Sequence, residues 1–156
     1  MFLCAAACSS RVESPRALFD QFVRLHTEKD FSGTWDLLSE EGRRRWTAAV
    51  DGSRQTLRKN PNNPKIAQQY QVSDQEFLTL PADELWRRAA AGTDRVLLGA
   101  KVVAEAPAPG EPGVVQLDVE TAYGQKFRWF VQEDGDRGWR YRNTQPLQLE
   151  KPARPE

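Results

Sequence analysis

The sequence predicts an α+β fold in which N-terminal helices pack on a C-terminal four-stranded antiparallel meander. Apolar residues recur at helical spacing in residues 14–92 and at strand spacing after Asp94. Short segments rich in Gly and Pro separate the predicted strands, which favours antiparallel neighbours. One face of that sheet is apolar and must be covered, and the helical half is the only cover available.

Composition indicates one globular domain. The chain has 156 residues, 39% of them hydrophobic and 28% charged, with 22 basic side chains against 22 acidic ones. Neither half of the chain carries a charge excess, so we predict no nucleic-acid partner. The mean hydropathy is −0.68 and no apolar run approaches the length of a membrane-spanning helix.

The predicted helices begin with a Ser14-Pro15 start signal, in which Ser14 caps the helix and Pro15 occupies its first position. Five residues then draw one apolar stripe along this helix: Leu18, Phe19, Phe22, Val23 and His26. A short helix is predicted over residues 31–38, and a third begins at Ser39 and runs to about Asn60. Its buried side is marked by Trp46, Val50 and Leu57.

Residues 60–64 form a turn cluster of two prolines and three asparagines, which cannot continue a helix. Ser73 and Glu76 have the spacing of a capping box. A further helix is predicted from Leu80-Pro81 to just before Gly92, with Leu85 and Trp86 facing the core.

The predicted strands cover residues 95–105, 115–120, 127–131 and 139–142. The first is followed by a loop over residues 107–113, because Pro and Gly keep that segment out of a sheet. Turns at residues 123–124 and 134–138 separate the others. The expected domain therefore spans residues 14–145, followed by a Pro-rich disordered tail over residues 146–156.

The N-terminus is a short apolar stretch that ends in small residues and a cysteine. Its run Ala6-Ala7-Cys8 resembles the end of a bacterial lipoprotein signal peptide, in which small side chains precede the cysteine that is lipidated before cleavage. The resemblance implies that Cys8 is lipidated, and residues 1–13 are then the end of a signal peptide and a tether. Cys4 fits less well, because Leu3 stands where that family has Gly, Ala or Ser.

The stretch departs from the lipoprotein pattern in two respects. Ala5 stands where the family usually has Leu, and only seven residues precede Cys8, without a basic segment. We therefore expect the true start to lie upstream of Met1. The alternative is that Cys4 and Cys8 are ordinary small hydrophobes, because this lone pair is too little for a zinc site.

The order of elements carries a second resemblance. The chain begins with a helix and the run Asp30-Phe31-x-x-x-Trp35-Asp36-Leu37-Leu38-Ser39, and it continues with further helices and a meander that ends in Gly138-Trp139-Arg140-Tyr141. This order resembles the cone-shaped α+β fold of the nuclear-transport-factor-2-like superfamily. The resemblance implies a pocket between sheet and helices, which in different members binds steroids or other small molecules, catalyses isomerisation or hydration, or does neither. Many members place a strand pair where residues 40–92 read as helix. No catalytic motif of the superfamily is present, so no catalytic residue is carried over.

Few residues suggest chemistry. His26 is the only histidine, which excludes a Cys-His dyad and a multi-histidine metal site. We predict no catalytic residue, no metal and no cofactor. Phe127, Trp129, Trp139 and Tyr141 share one sheet face and either line an apolar pocket, with His26 at its edge, or fill the core.

The remaining polar candidates have structural explanations. Asp118 and Glu120 fit the solvated face of the sheet, and Asp134 and Asp136 fit a hairpin turn. The run Arg43-Arg44-Arg45 follows two glutamates on a surface helix, where local ion pairing is usual.

These observations favour a lipid-anchored, non-catalytic binding or assembly module on the periplasmic or extracytoplasmic side of the bacterial cell envelope. Its expected partners are the membrane, through the lipid anchor, and an apolar small molecule or an envelope protein. The alternative is a small pocket enzyme of the isomerase or hydratase kind, which the fold resemblance alone supports.

Overall fold

The computed structural model describes residues 11–61, 65–92 and 94–147. Within them the helices are α1 (Pro15–Thr27), α2 (Phe31–Asp36), α3 (Glu40–Lys59), α4 (Lys65–Gln68), α5 (Asp74–Thr79), α6 (Ala82–Gly92) and α7 (Asp94–Leu97). The strands are β1 (Lys101–Pro107), β2 (Val114–Glu120), β3 (Lys126–Glu133) and β4 (Trp139–Pro146). The α+β class and the helix-then-strand order are confirmed.

The sheet is a four-stranded antiparallel meander in the order β1-β2-β3-β4, as the sequence predicts. Leu117 of β2 lies opposite Trp129 of β3, and Val131 of β3 lies opposite Tyr141 of β4. These residues belong to one buried cluster with the apolar side chains of α1 and the end of α2. One sheet face is thus covered by the N-terminal helices, because it is the apolar one.

Helix α1 forms where its cap and its apolar stripe predict it. The Ser14 side chain accepts a hydrogen bond from the backbone N–H of Ala17 at 3.1 Å. Leu18, Phe19 and Phe22 are buried on the sheet side, and His26 one turn later is buried as well. This stripe supplies one wall of the space between helix and sheet.

The junction between α2 and α3 is fixed to β4 by backbone hydrogen bonds. The Ser39 N–H donates to the Tyr141 carbonyl, and the Tyr141 N–H donates to the Leu37 carbonyl, each at 2.8 Å. Ser39 is fully buried and caps α3 by accepting from the Gly42 N–H at 2.9 Å. The start of α3 and the middle of β4 are therefore held together.

Helices α3 to α6 enclose a second buried cluster built from Val50, Leu57, Ala67, Phe77 and Leu85. The predicted capping box is present at the start of α5, where Ser73 and Glu76 each accept a hydrogen bond from the other's backbone N–H. Arg54 of α3 donates to the carbonyls of Phe77 and Leu80, which ties α3 to the end of α5.

The prediction of a strand over residues 95–105 is wrong at its start. Asp94–Leu97 form the helical turn α7, which the Ala100 N–H closes by donating to the Leu97 carbonyl at 3.0 Å. Gly99 then takes a φ of 78°, which favours glycine and reverses the chain before β1 begins at Lys101. At the other end β1 includes Pro107, which was predicted in the loop and is tolerated at the end of an edge strand.

Trp46, predicted on the buried side of its helix, is partly buried, and so is Trp35. Trp35 carries the Arg43 guanidinium over its ring at 5.4 Å. Cys8 and the rest of residues 1–10 lie outside the described residues, as do residues 62–64, residue 93 and the tail from residue 148 onward. Among the described helices, none is both long enough and apolar enough to cross a membrane.

Candidate ligand pocket

A cavity of about 370 Å³ lies between the covered face of the sheet and the helices. Its size falls within the range of about 300–1,000 Å³ that is usual for small-molecule sites. Its lining comes from α1, α3, α6, α7 and the last three strands: Phe22, His26, Trp46, Trp86, Ala89, Ala90, Val96, Leu97, Val119, Thr121, Phe127, Trp129, Tyr141 and Thr144. Among the described residues, the lining includes no Asp, Glu, Lys or Arg side chain.

Aromatic rings form the inner wall of this pocket. Trp129 is buried and meets Phe22 edge to face, with ring centroids 5.1 Å apart, and it meets Tyr141 at 4.9 Å. Phe22 and Tyr141 complete the triangle at 5.4 Å. Such edge-to-face contacts stabilise the rings in fixed orientations. The inner wall is therefore preformed and apolar.

The helical wall combines two tryptophans with two alanines. Trp46 and Trp86 meet edge to face at 5.0 Å. Their indole N–H groups are already engaged, since Trp46 donates to the Ala82 carbonyl at 2.8 Å and Trp86 donates to the Thr34 hydroxyl at 2.9 Å. Ala89 and Ala90 of α6 leave room beside these rings. This wall therefore presents carbon surface to the cavity.

Two hydroxyl groups meet on the β4 side of the pocket. The Tyr141 Oη and the Thr144 Oγ1 lie 2.8 Å apart, and either atom can donate. The pairing of β3 with β4 is irregular between Phe130 and Val131, so that Val131 lies opposite Tyr141 whereas Trp129 lies opposite Thr144. Tyr141 and Thr144 therefore both line the cavity although they are three residues apart in β4. Burial raises the pKa of Tyr141 to about 12, against the opposing effect of the Thr144 hydrogen bond.

His26 lies at the end of the pocket wall that α1 supplies. It is buried, stacks on Phe22 at 6.4 Å and meets the Phe31 ring edge-on at 5.5 Å. Among the lining residues that the structure describes, none is an Asp or Glu. The described residues also include no group of His, Cys, Asp or Glu that could hold a metal ion.

The structure places four of the five predicted ligand-binding residues in this lining: His26, Phe127, Trp129 and Tyr141. Trp139 is not among the lining residues and packs, partly buried, against the main core cluster. Sequence reasoning missed the helical wall. Trp46 and Trp86 were interpreted as core residues, and nothing in the sequence marks the run Ala89-Ala90 as the place where space is left open.

The other polar candidates lie outside the pocket. Arg128 holds Asp118 through two hydrogen bonds, of 2.7 and 3.1 Å, on the opposite face of the sheet. Arg44 and Arg45 both pair with Glu41. Arg43 donates to the Trp35 carbonyl at the end of α2. These charges have structural roles.

Comparison with known proteins gives no match to a protein-family model, a curated protein sequence or a solved structure.

Proposed function

We propose that the protein is a non-catalytic binding module that holds an uncharged apolar or amphipathic small molecule in the pocket between α1, α6 and the sheet. The observation that carries this proposal is the lining, which has a preformed aromatic wall and, in the part of the chain that the structure describes, no Asp, Glu, Lys or Arg side chain. An apolar ligand gains free energy by leaving water for such a wall, whereas an anion or cation would lose its hydration without an opposite charge nearby.

The alternative of an isomerase or hydratase has less support. Such reactions need a group that takes a proton and a group that returns it, held close to the substrate. The described lining offers His26 and hydroxyl groups but no carboxylate. The geometry thus favours binding over catalysis.

Two further parts of the proposal come from sequence resemblance. The helix-then-meander order and the pocket between the layers support membership of the nuclear-transport-factor-2-like superfamily, some of whose members use that space for ligands. Cys8 supports attachment to a bacterial envelope membrane through lipid. The described chain begins three residues after Cys8, and Val12 already bridges to Gly138 at the sheet. An anchor at Cys8 would hold the pocket domain close to the membrane surface.

The binding proposal is tested with N-phenyl-1-naphthylamine, an uncharged dye that fluoresces in apolar surroundings. The wild-type chain should enhance its fluorescence with saturation at one site. Ala89→Leu should weaken binding at least tenfold, because the larger side chain occupies the cavity. Absence of saturable binding to the wild-type chain would overturn the proposal.

The matched control is Ala91→Leu on the same helix. Ala91 is exposed and is not part of the lining, so the same substitution there should leave dye affinity unchanged. Equal losses in both variants would mean that α6 stability rather than the pocket governs the signal.

The anchor proposal is tested in a bacterial host that processes lipoproteins, with a known lipoprotein signal segment fused ahead of residue 5 so that Cys8 is offered to the processing enzymes. An alkyne-labelled fatty acid should label the wild-type protein and not the Cys8→Ser variant. Mass spectrometry that finds an unmodified N-terminus in the mature protein would refute it.

A further inference from the structure

The hydroxyls of Tyr141 and Thr144 form a polar spot in a pocket whose described lining is mostly apolar. Their 2.8 Å contact uses one hydroxyl proton, so the pair retains one O–H donor and unused acceptor lone pairs. Both residues line the cavity. A ligand oxygen that reaches this spot can therefore replace water as the partner of the pair.

The other uncharged polar groups of the lining have partners. The two indole N–H groups donate to Ala82 and Thr34. The Thr121 hydroxyl accepts from the N–H groups of Tyr123 and Gln125, at 3.3 and 3.1 Å. The Tyr141–Thr144 pair is thus the part of the lining best placed to bind a polar ligand atom.

The pair reaches from the aromatic wall, to which Tyr141 belongs, to the outer part of the pocket at Thr144. Thr144 is exposed and Tyr141 is partly buried, whereas Phe22, His26 and Trp129 are buried. The position of Tyr141 is fixed by its backbone hydrogen bonds to Leu37 and Ser39 and by its ring contacts with Phe22 and Trp129. A ligand with one polar end therefore fits with its hydrocarbon body inward and its polar end at the hydroxyl pair.

We propose that the natural ligand carries a neutral oxygen, as a ketone, ester or alcohol, at one end of an apolar body, and that the Tyr141–Thr144 hydroxyl pair binds this oxygen. This inference rests on the proposed binding function. It narrows the ligand class in two ways. A carboxylate at the same position would find no Lys or Arg among the described lining residues, and a pure hydrocarbon would leave the pair without a ligand partner. A tyrosine phenol is protonated, and so able to donate, at physiological pH, and burial raises the pKa of Tyr141 further.

The test uses two probes of nearly equal shape, acetylnaphthalene and ethylnaphthalene, which differ by a ketone oxygen in place of two hydrogens. Their affinities are measured by displacement of the naphthylamine dye from the full chain. Because the ketone is better hydrated than the hydrocarbon, the informative quantity is the ratio of the two dissociation constants in each variant. Naphthoate at neutral pH serves as the charged probe.

The variants are Thr144→Val and Tyr141→Phe, which remove one hydroxyl each at nearly constant shape, and Thr144→Ser, which keeps the hydroxyl. We expect the first two to weaken ketone binding by roughly two- to tenfold, the effect of one hydrogen bond, and to leave hydrocarbon binding unchanged. Thr144→Ser should retain the wild-type ratio. Thr144 is exposed, so its variants test the hydroxyl without disturbing the core.

Each other outcome contradicts a different claim. If both probes bind and the ratio is the same in wild type, Thr144→Val and Tyr141→Phe, the hydroxyl pair does not bind the oxygen, while the binding proposal stands. If naphthoate binds as tightly as acetylnaphthalene, the neutral ligand class is wrong. If neither probe nor dye binds the wild-type chain, the binding function itself is overturned, and this inference with it.

Discussion

The close approach of α3 to β4 predicts opposite effects for one substitution at two glycines of the same helix. A Cβ atom at Gly42 would lie 2.7 Å from the Tyr141 carbonyl oxygen and 3.1 Å from that of Arg142. A Cβ atom at Gly52 would meet no atom within 4 Å. Alanine at Gly42 must therefore push α3 away from β4, whereas at Gly52 it changes only the helix propensity.

The difference in stability between the two variants isolates the steric effect. In an open helix position alanine stabilises by about 0.5–1 kcal/mol relative to glycine. Overpacking against backbone that cannot move aside costs about 1–3 kcal/mol. Because both variants gain the same propensity term, Gly42→Ala should be less stable than Gly52→Ala by about 1–3 kcal/mol. Gly52→Ala itself should exceed the wild type.

The assay is urea denaturation followed by tryptophan fluorescence, with the slope of the transition compared across the three proteins. Ligand affinity adds a second readout, since Gly42→Ala displaces the carbonyl of Tyr141, whose side chain lines the pocket. If Gly42→Ala is as stable as Gly52→Ala, α3 does not contact β4 as described, and the reasoning fails.

Three further predictions concern the core, an ionisable group and a helix cap. Trp129→Ala should lower the free energy of unfolding by about 3–5 kcal/mol in the same assay, because it removes a buried ring that meets Phe19, Phe22 and Tyr141; a loss below 1 kcal/mol would contradict its place in the core. The folded-state pKa of Tyr141 is raised to about 12, from about 10 in the unfolded chain, so stability should fall as pH rises from about 10 to about 12. In denaturation curves measured at stepped pH, the free energy of unfolding of Tyr141→Phe should fall less steeply with pH over that window than that of the wild type. An identical dependence on pH in the two proteins would refute the assignment. Ser73→Ala should destabilise by about 0.5–2 kcal/mol through loss of the α5 cap, and Ser73→Asp should restore most of it; equal losses in both would contradict the capping role.

The sequence predicts those helices and strands whose formation depends on neighbouring residues, through helix caps and the alternation of apolar side chains. The Ser14-Pro15 start, the Ser39 cap and the Ser73 capping box all mark real helix starts. The alternation of apolar residues predicted β2 and β3, because one face of each is buried. The strand prediction for residues 95–105 is wrong at its start, because the Val and Leu residues there lack a clear period. The same residues can form a helical turn, and Asp94–Leu97 do so.

The pocket was only half predictable. Strand alternation places Phe127 and Trp129 on one face, and these residues do line the cavity. Thr144 also lines the cavity, because an irregularity in the β3–β4 pairing places it opposite Trp129. No residue type in β4 predicts that irregularity. Whether Trp46 and Trp86 fill a core or border a cavity depends on the small side chains of α6 opposite them, and that is a property of tertiary packing.

The most direct test of the central claim is an experimental structure of the chain with the naphthylamine dye or acetylnaphthalene bound. We predict the ligand between α1, α6 and the sheet, in contact with Phe22 and Trp129, and with the ketone oxygen within hydrogen-bond distance of Tyr141 or Thr144. A ligand found only on the outer surface, or a cavity filled by side chains in the experimental structure, would contradict the binding function proposed for this pocket.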